Sequence, residues 1–436
     1  MQTLNLTKKY EVYPEYKDSG VEWLGMIPKE WRVGKVKEVF KLLKERSFNN
    51  SESEILSLTL NGIKTRDVSN NEGQIAASYE GYRKIIKGDI VLNPMDLVRG
   101  FVDSSKYEGI ISPAYATLRK KDKEINSQYY NYFFQKHYFE GIFHPFGNGV
   151  SVDHRWTLKD DTLVNFPVLT IPFEQQTKIA KFLDQKTILI DKIIEKKKKQ
   201  IELIKGERRV IINNAITKGL GKSVEMFDSG VEWIGKIPKG WSIEKLKNRT
   251  TFLNGYSFDS GEYVNDGLPI IRISDVGQEV DFTKVKRVPY ILRAKINRFL
   301  VKKNDLLIAL TGGTIGKTSI YDKLDEVYLN QRVGIIRPNN ELDLTFLKFQ
   351  IASNVFKKNI DLLCIGGAQP NIGKNEIGNI LFPFPSKDEQ KEISRYLEVK
   401  NRVCDEAISK IESTIEKLNE YKISLISDVI TGKVKV

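Results

Sequence analysis

The stretch DSGVEWLGMIPKEW at residues 18–31 occurs again as DSGVEWIGKIPKGW at residues 228–241, with three substitutions between the copies. A second matched pair follows at nearly the same distance, IAKFLD at residues 179–184 and ISRYLE at residues 393–398. The stretches between these pairs are largely unlike each other. The chain is therefore an internal duplication in which one scaffold carries two different inserts. This arrangement indicates two different recognition elements held at a set separation, and not one active site.

The length and charge of the chain narrow the classes of function. Its 436 residues are enough for two domains of about 150 residues with connecting elements. Lysine and arginine number 69 against 56 acidic residues, a net charge of +13, which suggests a polyanionic partner. A solvated basic surface without a partner is the alternative.

Cysteine usage and hydropathy predict the compartment. Cys364 and Cys404 are the only cysteines, and the opening stretch MQTLNLTKKYEVYPEY has no apolar signal core, so we expect a reduced, cytoplasmic protein. No run of about 18 apolar residues occurs in the sequence, so we expect no membrane partner. The positive charge is then better assigned to nucleic acid than to lipid.

Two segments have the heptad pattern of long helices. In the first, Leu183, Ile190 and Ile204 share one column, and the matching column of the second holds Leu397, Ile411 and Leu418. An apolar column kept over several heptads predicts coiled-coil pairing, here antiparallel because one chain supplies both helices. Gly219 and Gly432 follow the two patterns and can adopt the left-handed conformation that ends a helix.

The two inserts have mixed strand and helix character in a matching order. GDIVL in the first corresponds to NDLLI in the second, and YATLR corresponds to VGIIR. Tyr129, Tyr130, Phe133, Phe134 and His137 fall at helical spacing, which favours a buried stripe over a base-stacking platform. The predicted fold class is α+β: two mixed α/β domains separated by two long antiparallel coiled-coil helices, with an internal pseudo-two-fold repeat.

The predicted organisation has six parts. They are an N-terminal scaffold segment (1–31), a first insert (32–169), a central helix (170–219), a second repeat segment (220–241), a second insert (242–384) and a distal helix (385–436).

The stretches that resemble catalytic motifs do not have the residue spacing that those motifs require. GGTIGKTS at residues 312–319 resembles a phosphate-binding loop, but Thr311 stands where that loop needs glycine, and a strand is predicted after it instead of a helix. A hairpin tip with Lys317 on a phosphate fits the pattern better. His137, His144 and His154 are the only histidines and include no i,i+4 pair, so we expect no metal site. FGNG at residues 146–149 and Asn93-Pro94 also lack the surroundings that methyl-transfer motifs require.

Long polar residues in predicted turns are the candidates for reading DNA, because Asn and Gln pair with adenine, Arg with guanine and Lys with phosphate. Asparagines that only shape a turn are the competing interpretation. The candidates are Asn61, Lys64, Arg66, Asn93, Arg99, Asn148, Ser151, His154 and Arg155 in the first insert, and Tyr256, Arg272, Thr314, Lys317, Asn330, Gln331, Arg332, Gln369, Asn371, Lys374 and Asn375 in the second.

The repeat, the heptad helices and the stretches ALTGGTIGKTSIY and YLNQRVGIIRP together closely resemble the specificity subunit of type I restriction-modification enzymes. The resemblance covers nearly the whole chain. It implies that each insert is a target recognition domain reading one half of a split, asymmetric site in double-stranded DNA. The first insert departs from the familiar TGGTIGK pattern, with NPMDLVRG in its place.

The resemblance also implies the partners. The helices would hold two modification subunits, which bring S-adenosylmethionine and the catalysis, and restriction subunits can join. We assign Leu183, Ile190, Ile204, Leu397, Ile411 and Leu418 to this partner-binding region. The chain itself is then a non-catalytic specificity subunit. The alternatives are a self-sufficient DNA methyltransferase or DNA-dependent NTPase, and a coiled-coil adaptor that binds DNA without sequence specificity.

Overall fold

Both copies of the repeat fold in the same way in the computed structural model, which describes residues 10–47, 54–66, 78–97, 101–149, 156–221, 223–277, 281–364 and 371–436. The carboxylates of Asp18 and Asp228 each accept a hydrogen bond of 2.9 Å from the backbone N–H two residues on, at Gly20 and Gly230. Both glycines have positive φ, 69° and 72°, a conformation that costs other residues energy. The identical letters therefore encode an identical turn.

From this turn to the central helix, the elements are short strands and helices that end in one long helix. In chain order they are β1 (Tyr16–Asp18), β2 (Met26–Pro28), β3 (Arg32–Lys35), α1 (Val36–Val39), β4 (Phe40–Leu42), β5 (Ile55–Thr59), β6 (Gly62–Thr65), β7 (Arg83–Ile85), β8 (Ile90–Leu92), β9 (Val102–Ser104), β10 (Gly109–Ile111), β11 (Ala116–Lys120), α2 (Ser127–Phe139), α3 (Asp160–Asn165), β12 (Pro167–Thr170) and α4 (Phe173–Lys218).

The second half follows a similar order and ends in the second long helix. Its elements are β13 (Met226–Asp228), β14 (Lys236–Pro238), β15 (Ser242–Lys245), α5 (Leu246–Arg249), β16 (Thr250–Asn254), β17 (Leu268–Ile271), β18 (Arg287–Val288), α6 (Arg293–Ile296), β19 (Leu306–Ala309), β20 (Thr318–Ile320), β21 (Tyr328–Leu329), β22 (Val333–Pro338), α7 (Leu344–Ile351), α8 (Asn354–Leu363), α9 (Lys374–Gly378), β23 (Leu381–Phe384) and α10 (Lys387–Ile430).

The chain divides into two units, residues up to 197 with 412–436, and residues 198–411. Each unit contains one repeat copy, one insert and part of each long helix. The first insert has an antiparallel sheet in the order β4-β11-β8-β9, and the second has β16-β22-β19-β20. A further sheet in each contains one parallel pair, β5 with β10 and β17 with β21. The expectation that the inserts share a fold is confirmed.

An ion pair between a partly exposed arginine and a buried aspartate holds the same place in the two antiparallel sheets. Arg119 Nε and Nη2 lie 2.9 and 2.6 Å from the Asp89 carboxylate, and Arg337 Nε and Nη2 each lie 2.6 Å from that of Asp305. The two aspartates are only 1% and 3% exposed. Each also accepts a hydrogen bond from the backbone N–H three residues earlier. Such bidentate pairs fix strand separation and orientation, so the two sheets share one frame.

The aromatic stripe of α2 is core. Tyr129, Tyr130, Phe133, Phe134 and His137 are at most 1% exposed. His137 is enclosed by aromatic rings that include Trp23 of the first repeat copy, with ring centroids 4.5 Å apart. Burial lowers the pKa of His137 to about 3, so this imidazole is neutral. The stripe therefore attaches the first insert to its scaffold and is not available for stacking on bases.

The long helices run antiparallel in each unit. In the second unit, Arg208 pairs with Asp405, while Gly219, just after the end of α4, lies beside Glu389, near the start of α10. In the first unit, Asp191 of α4 pairs with Lys422 of α10 at 2.8 Å. Gly219 and Gly432 have φ of 69° and 77°, as predicted for residues that end helices. The antiparallel pairing is confirmed.

The heptad residues assigned to partner binding are instead packed within the chain. Leu183, Ile190 and Leu397 are fully buried, Ile411 and Leu418 are 7% and 8% exposed, and Ile204 is half-buried. Apolar side chains in these columns pack inside the units, because that is where α4 meets α10. The outer flanks of the helices are more exposed, and Leu189 and Val403 there are 40% and 57% exposed.

Each repeat copy is attached to the start of a long helix by its second tryptophan. Trp31 Nε1 donates to Gln175 Oε1 of α4 at 2.8 Å, and Trp241 Nε1 donates to Glu389 Oε2 of α10 at 3.0 Å. The next residue on each helix, Gln176 or Gln390, is buried and accepts a 2.8 Å bond from the backbone N–H of Asn126 or Asp343 in the neighbouring insert. Scaffold, insert and helix are thus joined by equivalent bonds in both halves.

Candidate nucleic-acid interface

The second insert has an open cleft beside the GGTIGKTS motif. The cleft has a volume of about 530 Å³ and is lined by Ile273, Thr311, Gly312, Gly313, Thr314, Gln331, Arg332 and Asn371. An adjoining cleft shares Ile273, Gln331 and Arg332 and adds Phe258, Tyr263, Arg272, Ser274 and Asn330. Six of the predicted candidates thus converge: Arg272, Thr314, Asn330, Gln331, Arg332 and Asn371.

The motif is a hairpin tip rather than a phosphate-binding loop. Strand β19 is followed by a turn at Gly312–Thr314 and then by β20, which pairs with β19 in antiparallel register. The turn closes through bonds from Gly316 N to Ala309 O and from Lys317 N to Thr314 O, both 3.0 Å. Lys317 is exposed. The predicted strand–turn–strand context is confirmed, and no helix follows to receive a nucleotide phosphate.

The cleft is also lined by Gln331 and Arg332, which face solvent. Both are exposed, whereas Asn330 is only 8% exposed. Asn330 Oδ1 accepts a 3.3 Å bond from the backbone N–H of Arg332, and Gln331 N donates to Tyr256 O at 2.8 Å. Asn330 therefore shapes the turn, and its two neighbours are the residues of this turn whose side chains can reach a ligand.

The other candidates of the second insert lie around this region. Tyr256 is half-buried beside Asn330, while Lys374 and Asn375 are exposed at the start of the short helix α9. Gln369 lies outside the described residues. Arg272 is partly exposed, and its backbone N–H donates to Asp275 Oδ2 at 2.8 Å, which fixes the turn that supports the cleft.

The first insert presents a different set of residues. Asn61 and Lys64 are exposed on the β5–β6 hairpin, and Arg66 is half-buried just after it. Asn93 has a structural role, because its side chain accepts from Met95 N at 3.0 Å and its carbonyl accepts from the Tyr138 hydroxyl at 2.6 Å. Asn148 is exposed and pairs through its backbone with Thr157. Arg99, Ser151, His154 and Arg155 lie outside the described residues.

Asp103, which sequence reasoning missed, holds the β5–β6 hairpin in place. Its Oδ2 accepts a 2.8 Å bond from Ile63 N, and a Cβ on Gly62 would lie 2.4 Å from the same oxygen. Gly62 also has a φ of 92°. Burial raises the pKa of Asp103. The only sequence signal for this contact is the glycine in the Asn61-Gly62 turn.

The part of the chain that the structure describes contains neither a cluster of metal ligands nor a helix suited to span a membrane. No group of three or more His, Cys, Asp or Glu side chains is placed there to hold a metal ion. None of its helices has the length and apolar character needed to cross a lipid bilayer.

Comparison with known proteins identifies similar chains. The family described as "Type I restriction modification DNA specificity domain" matches residues 28–203 and 238–417. The MjaVIII specificity subunit of a type I restriction enzyme from Methanocaldococcus jannaschii is 26% identical over 422 residues, covering 94% of both chains. The EcoBI specificity subunit from Escherichia coli is 25% identical and covers 85% of this chain and 79% of its own length.

A solved structure supports the fold. A chain from a study of complex assembly and conformational transition in a type I restriction-modification system superimposes with a TM-score of 0.70, at 14% identity. The superposition covers 93% of this chain and 98% of the other.

Proposed function

Because the chain belongs to the type I restriction-modification DNA specificity family, we propose that each of its inserts reads one half of a bipartite, asymmetric DNA site. The observation that carries this proposal is the cleft of the second insert, which is lined by the exposed Gln331 and Arg332 together with Thr314 of the hairpin tip. Arginine pairs bidentately with guanine and glutamine with adenine in the major groove. Both side chains stand on a turn fixed by Asn330, so they are preorganised for base contact.

The test compares Arg332→Ala with Lys317→Ala in the full chain. Arg332→Ala should cost about 1–3 kcal/mol at one position of one half-site, because it removes a bidentate base contact. Lys317→Ala should weaken cognate and random duplexes alike, because phosphate contacts carry no sequence information. Binding is measured by competition between cognate and random DNA.

An exposed arginine on α10, Arg402, provides the matched control. Arg402→Ala should leave the preference for cognate DNA unchanged. Equal losses on cognate and random DNA for Arg332→Ala would move this residue to the phosphate-binding class. The absence of any preference for cognate DNA in the unmodified chain would contradict the proposed function.

The same proposal assigns assembly to the flanks of the long helices. Two modification subunits would bind there, carry S-adenosylmethionine and perform methyl transfer, and restriction subunits would join the complex. Leu189 on α4 and Val403 on α10 occupy matching positions of the duplicated helices, and both are exposed apolar residues. Ile188 next to Leu189, and Val399 one helical turn before Val403, are also 54% and 56% exposed. Contiguous exposed apolar surface of this kind is typical of an interaction site.

The stoichiometry of the complex tests this assignment. Leu189→Glu and Val403→Glu should each remove one of two modification subunits, because a charge is then placed inside one interface. The double variant should bind none. Mass measurement of co-purified complexes gives the number of modification subunits bound to each chain. A one-to-one complex for the unmodified chain at saturating partner would refute the presence of two binding sites.

Catalysis is assigned to the partners and not to this chain. The purified chain should neither hydrolyse nucleotides nor transfer methyl groups from S-adenosylmethionine to DNA. Methyl transfer to DNA should be observed only after the modification subunit is added. Activity in the purified chain alone would favour a self-sufficient enzyme instead.

A further inference from the structure

A positively charged stretch of the second insert lies outside the residues that line the cleft. Residues 284–303, KVKRVPYILRAKINRFLVKK, contain eight Lys and Arg residues and no acidic residue, in a chain whose net charge is +13. We call this stretch the basic segment. A long run of like charge is unfavourable by itself and is tolerated where a polyanion neutralises it.

The basic segment is anchored to the core of the second insert. Val288 and Ile296 are fully buried, and Phe299 is 6% exposed, all within one hydrophobic cluster. Between them the backbone forms consecutive helical turns over Tyr290–Leu292, Arg293–Ile296 and Asn297–Phe299. Because these three apolar side chains are buried in the core, the backbone that carries the cations is fixed in place.

Most of these cations face solvent. Lys286, Lys295, Arg298, Lys302 and Lys303 are all exposed. Within the described residues, the ion pairs of the segment involve Lys284, which contacts Asp281 at 3.0 Å, and Arg293, which contacts Glu326 at 3.1 Å. The other exposed cations of the segment make no ion pair among the residues that the structure describes, so they can bind phosphates.

The segment also displays an apolar tip. Ile291 is 88% exposed, and its neighbour Tyr290 is 52% exposed. The consecutive turns that carry Ile291 also carry the exposed cations Lys295 and Arg298. Proteins that bind the DNA minor groove combine an exposed apolar side chain, which enters the groove, with basic residues that contact the DNA backbone.

The basic segment borders the cleft of the second insert. Lys295 Nζ lies 5.1 Å from the centre of the Tyr256 ring. The backbone N–H of Tyr256 donates to Leu329 O, and its carbonyl accepts from Gln331, which lines the cleft. The same tyrosine ring lies 4.9 Å from Phe258 on the cleft wall and 5.6 Å from Phe299 of the segment.

We propose that the basic segment is a second DNA-contacting element of the second insert, in which Lys295 and Arg298 bind phosphates flanking the half-site and Ile291 contacts the adjacent minor groove. This inference rests on the proposed function, since it assumes that the cleft reads DNA. The basic segment would add sequence-independent contacts to DNA beside the base-reading residues. These contacts would be made by the second insert. The first insert has a shorter, less basic stretch before its matching strand β8, and Glu80 lies in it.

The test is salt-dependent binding by the full chain. Lys295→Gln combined with Arg298→Gln should weaken cognate and random duplexes by the same factor, on the order of tenfold, and should reduce the log–log salt slope by about 1.8 for two lost phosphate contacts. Lys236→Gln combined with Lys239→Gln removes the same charge from exposed positions of the second repeat copy and should leave the slope nearly unchanged. Circular dichroism and the unfolding midpoint verify that each variant is folded.

A separate variant tests the apolar tip. Ile291→Ser should weaken binding without changing the salt slope, because it removes no charge. An unchanged slope for the Lys295 and Arg298 variant, or an equal loss in the Lys236 and Lys239 control, would overturn the inference while cognate preference in the unmodified chain remained. Loss of that preference in the unmodified chain would overturn the proposed function itself, and this inference with it.

Discussion

The two inserts share a buried frame and differ in what they expose. In both, a bidentate arginine–aspartate pair joins neighbouring strands, Arg119 with Asp89 and Arg337 with Asp305. At their surfaces, the second has a cleft with Gln331 and Arg332, whereas the first presents Asn61 and Lys64 on a hairpin held by Asp103. The frame is constrained because its polar groups are buried and must be paired. The exposed turns carry no such constraint, so they can change without loss of the fold.

The two scaffold copies show the opposite relation, because their nearly identical sequences contact different neighbouring residues. Trp31 bonds to a neutral carboxamide at Gln175, whereas Trp241 bonds to the carboxylate of Glu389. Gly432 is pressed against Pro28 and Trp31, while Gly219 has more room beside Trp241. Equivalent positions therefore have unequal energetic roles, and three sets of substitutions measure how far the equivalence extends.

The largest effect is expected in the shared frame. Asp89→Ala and Asp305→Ala should each lower the free energy of unfolding by about 3 kcal/mol, because the arginine and the backbone N–H of Ile86 or Lys302 all lose the buried carboxylate that accepts their hydrogen bonds. The two losses should agree within about 1 kcal/mol, since the geometry is the same. Urea unfolding followed by tryptophan fluorescence provides the measurement.

An exposed pair serves as the control for this prediction. Glu15→Ala breaks the contact with Lys29, in which both side chains are more than half exposed, and should cost less than about 1 kcal/mol. If Asp89→Ala were as mild as this control, the first insert would not depend on its ion pair and the shared frame would be only apparent.

The next effect separates the two helix-ending glycines. Gly432→Ala should cost about 3 kcal/mol, because the left-handed φ is unfavourable for alanine and the new Cβ would lie 2.5 Å from Pro28. Gly219→Ala should cost about 1–2 kcal/mol, since its Cβ would meet atoms no closer than 3.3 Å, so the neighbouring side chains need to shift only slightly and the backbone conformation accounts for most of the cost. The same unfolding assay compares them, and equal losses would mean that the tighter packing at Gly432 relaxes freely.

The smallest effect is a dependence on pH at the tryptophan contacts. Burial raises the pKa of Glu389, so the folded state favours its protonated form. Its contribution to stability is present at pH below the ordinary value of 4.5 and is lost as the pH rises through the higher value of the folded state. Glu389→Gln should therefore raise the free energy of unfolding at pH 7 by at most about 1 kcal/mol, with no gain in acid.

The reciprocal substitution sharpens this comparison. Gln175→Glu places a carboxylate at the matching position of the first half and should lower stability at pH 7 and not at low pH. Denaturation series across pH 4–8 test both variants. A gain for Glu389→Gln that stayed constant over this range would assign the effect to packing and not to ionisation.

Much of the fold was predictable because its signals are local or periodic. The aromatic stripe of α2 is core, the heptad columns are buried, and GGTIGKTS forms a hairpin tip. The candidate site was predictable in part. Residue type identified the right class of side chain, and Gln331 and Arg332 do face a cleft. Residue type could not separate them from Asn93 and Asn330, whose polar atoms bond to neighbouring backbone.

The sequence by itself determined the duplication, the two helices with their glycine ends, and the division into constant scaffold and variable inserts, because repetition and periodicity are visible along the chain. Only the tertiary structure decided that Asp89 meets Arg119, that Asp103 holds the β5–β6 hairpin, and that Lys295 stands beside Tyr256 at the edge of the cleft. These contacts join residues that are far apart in the chain. Their energies depend on burial and orientation, and neither quantity exists until the strands have paired.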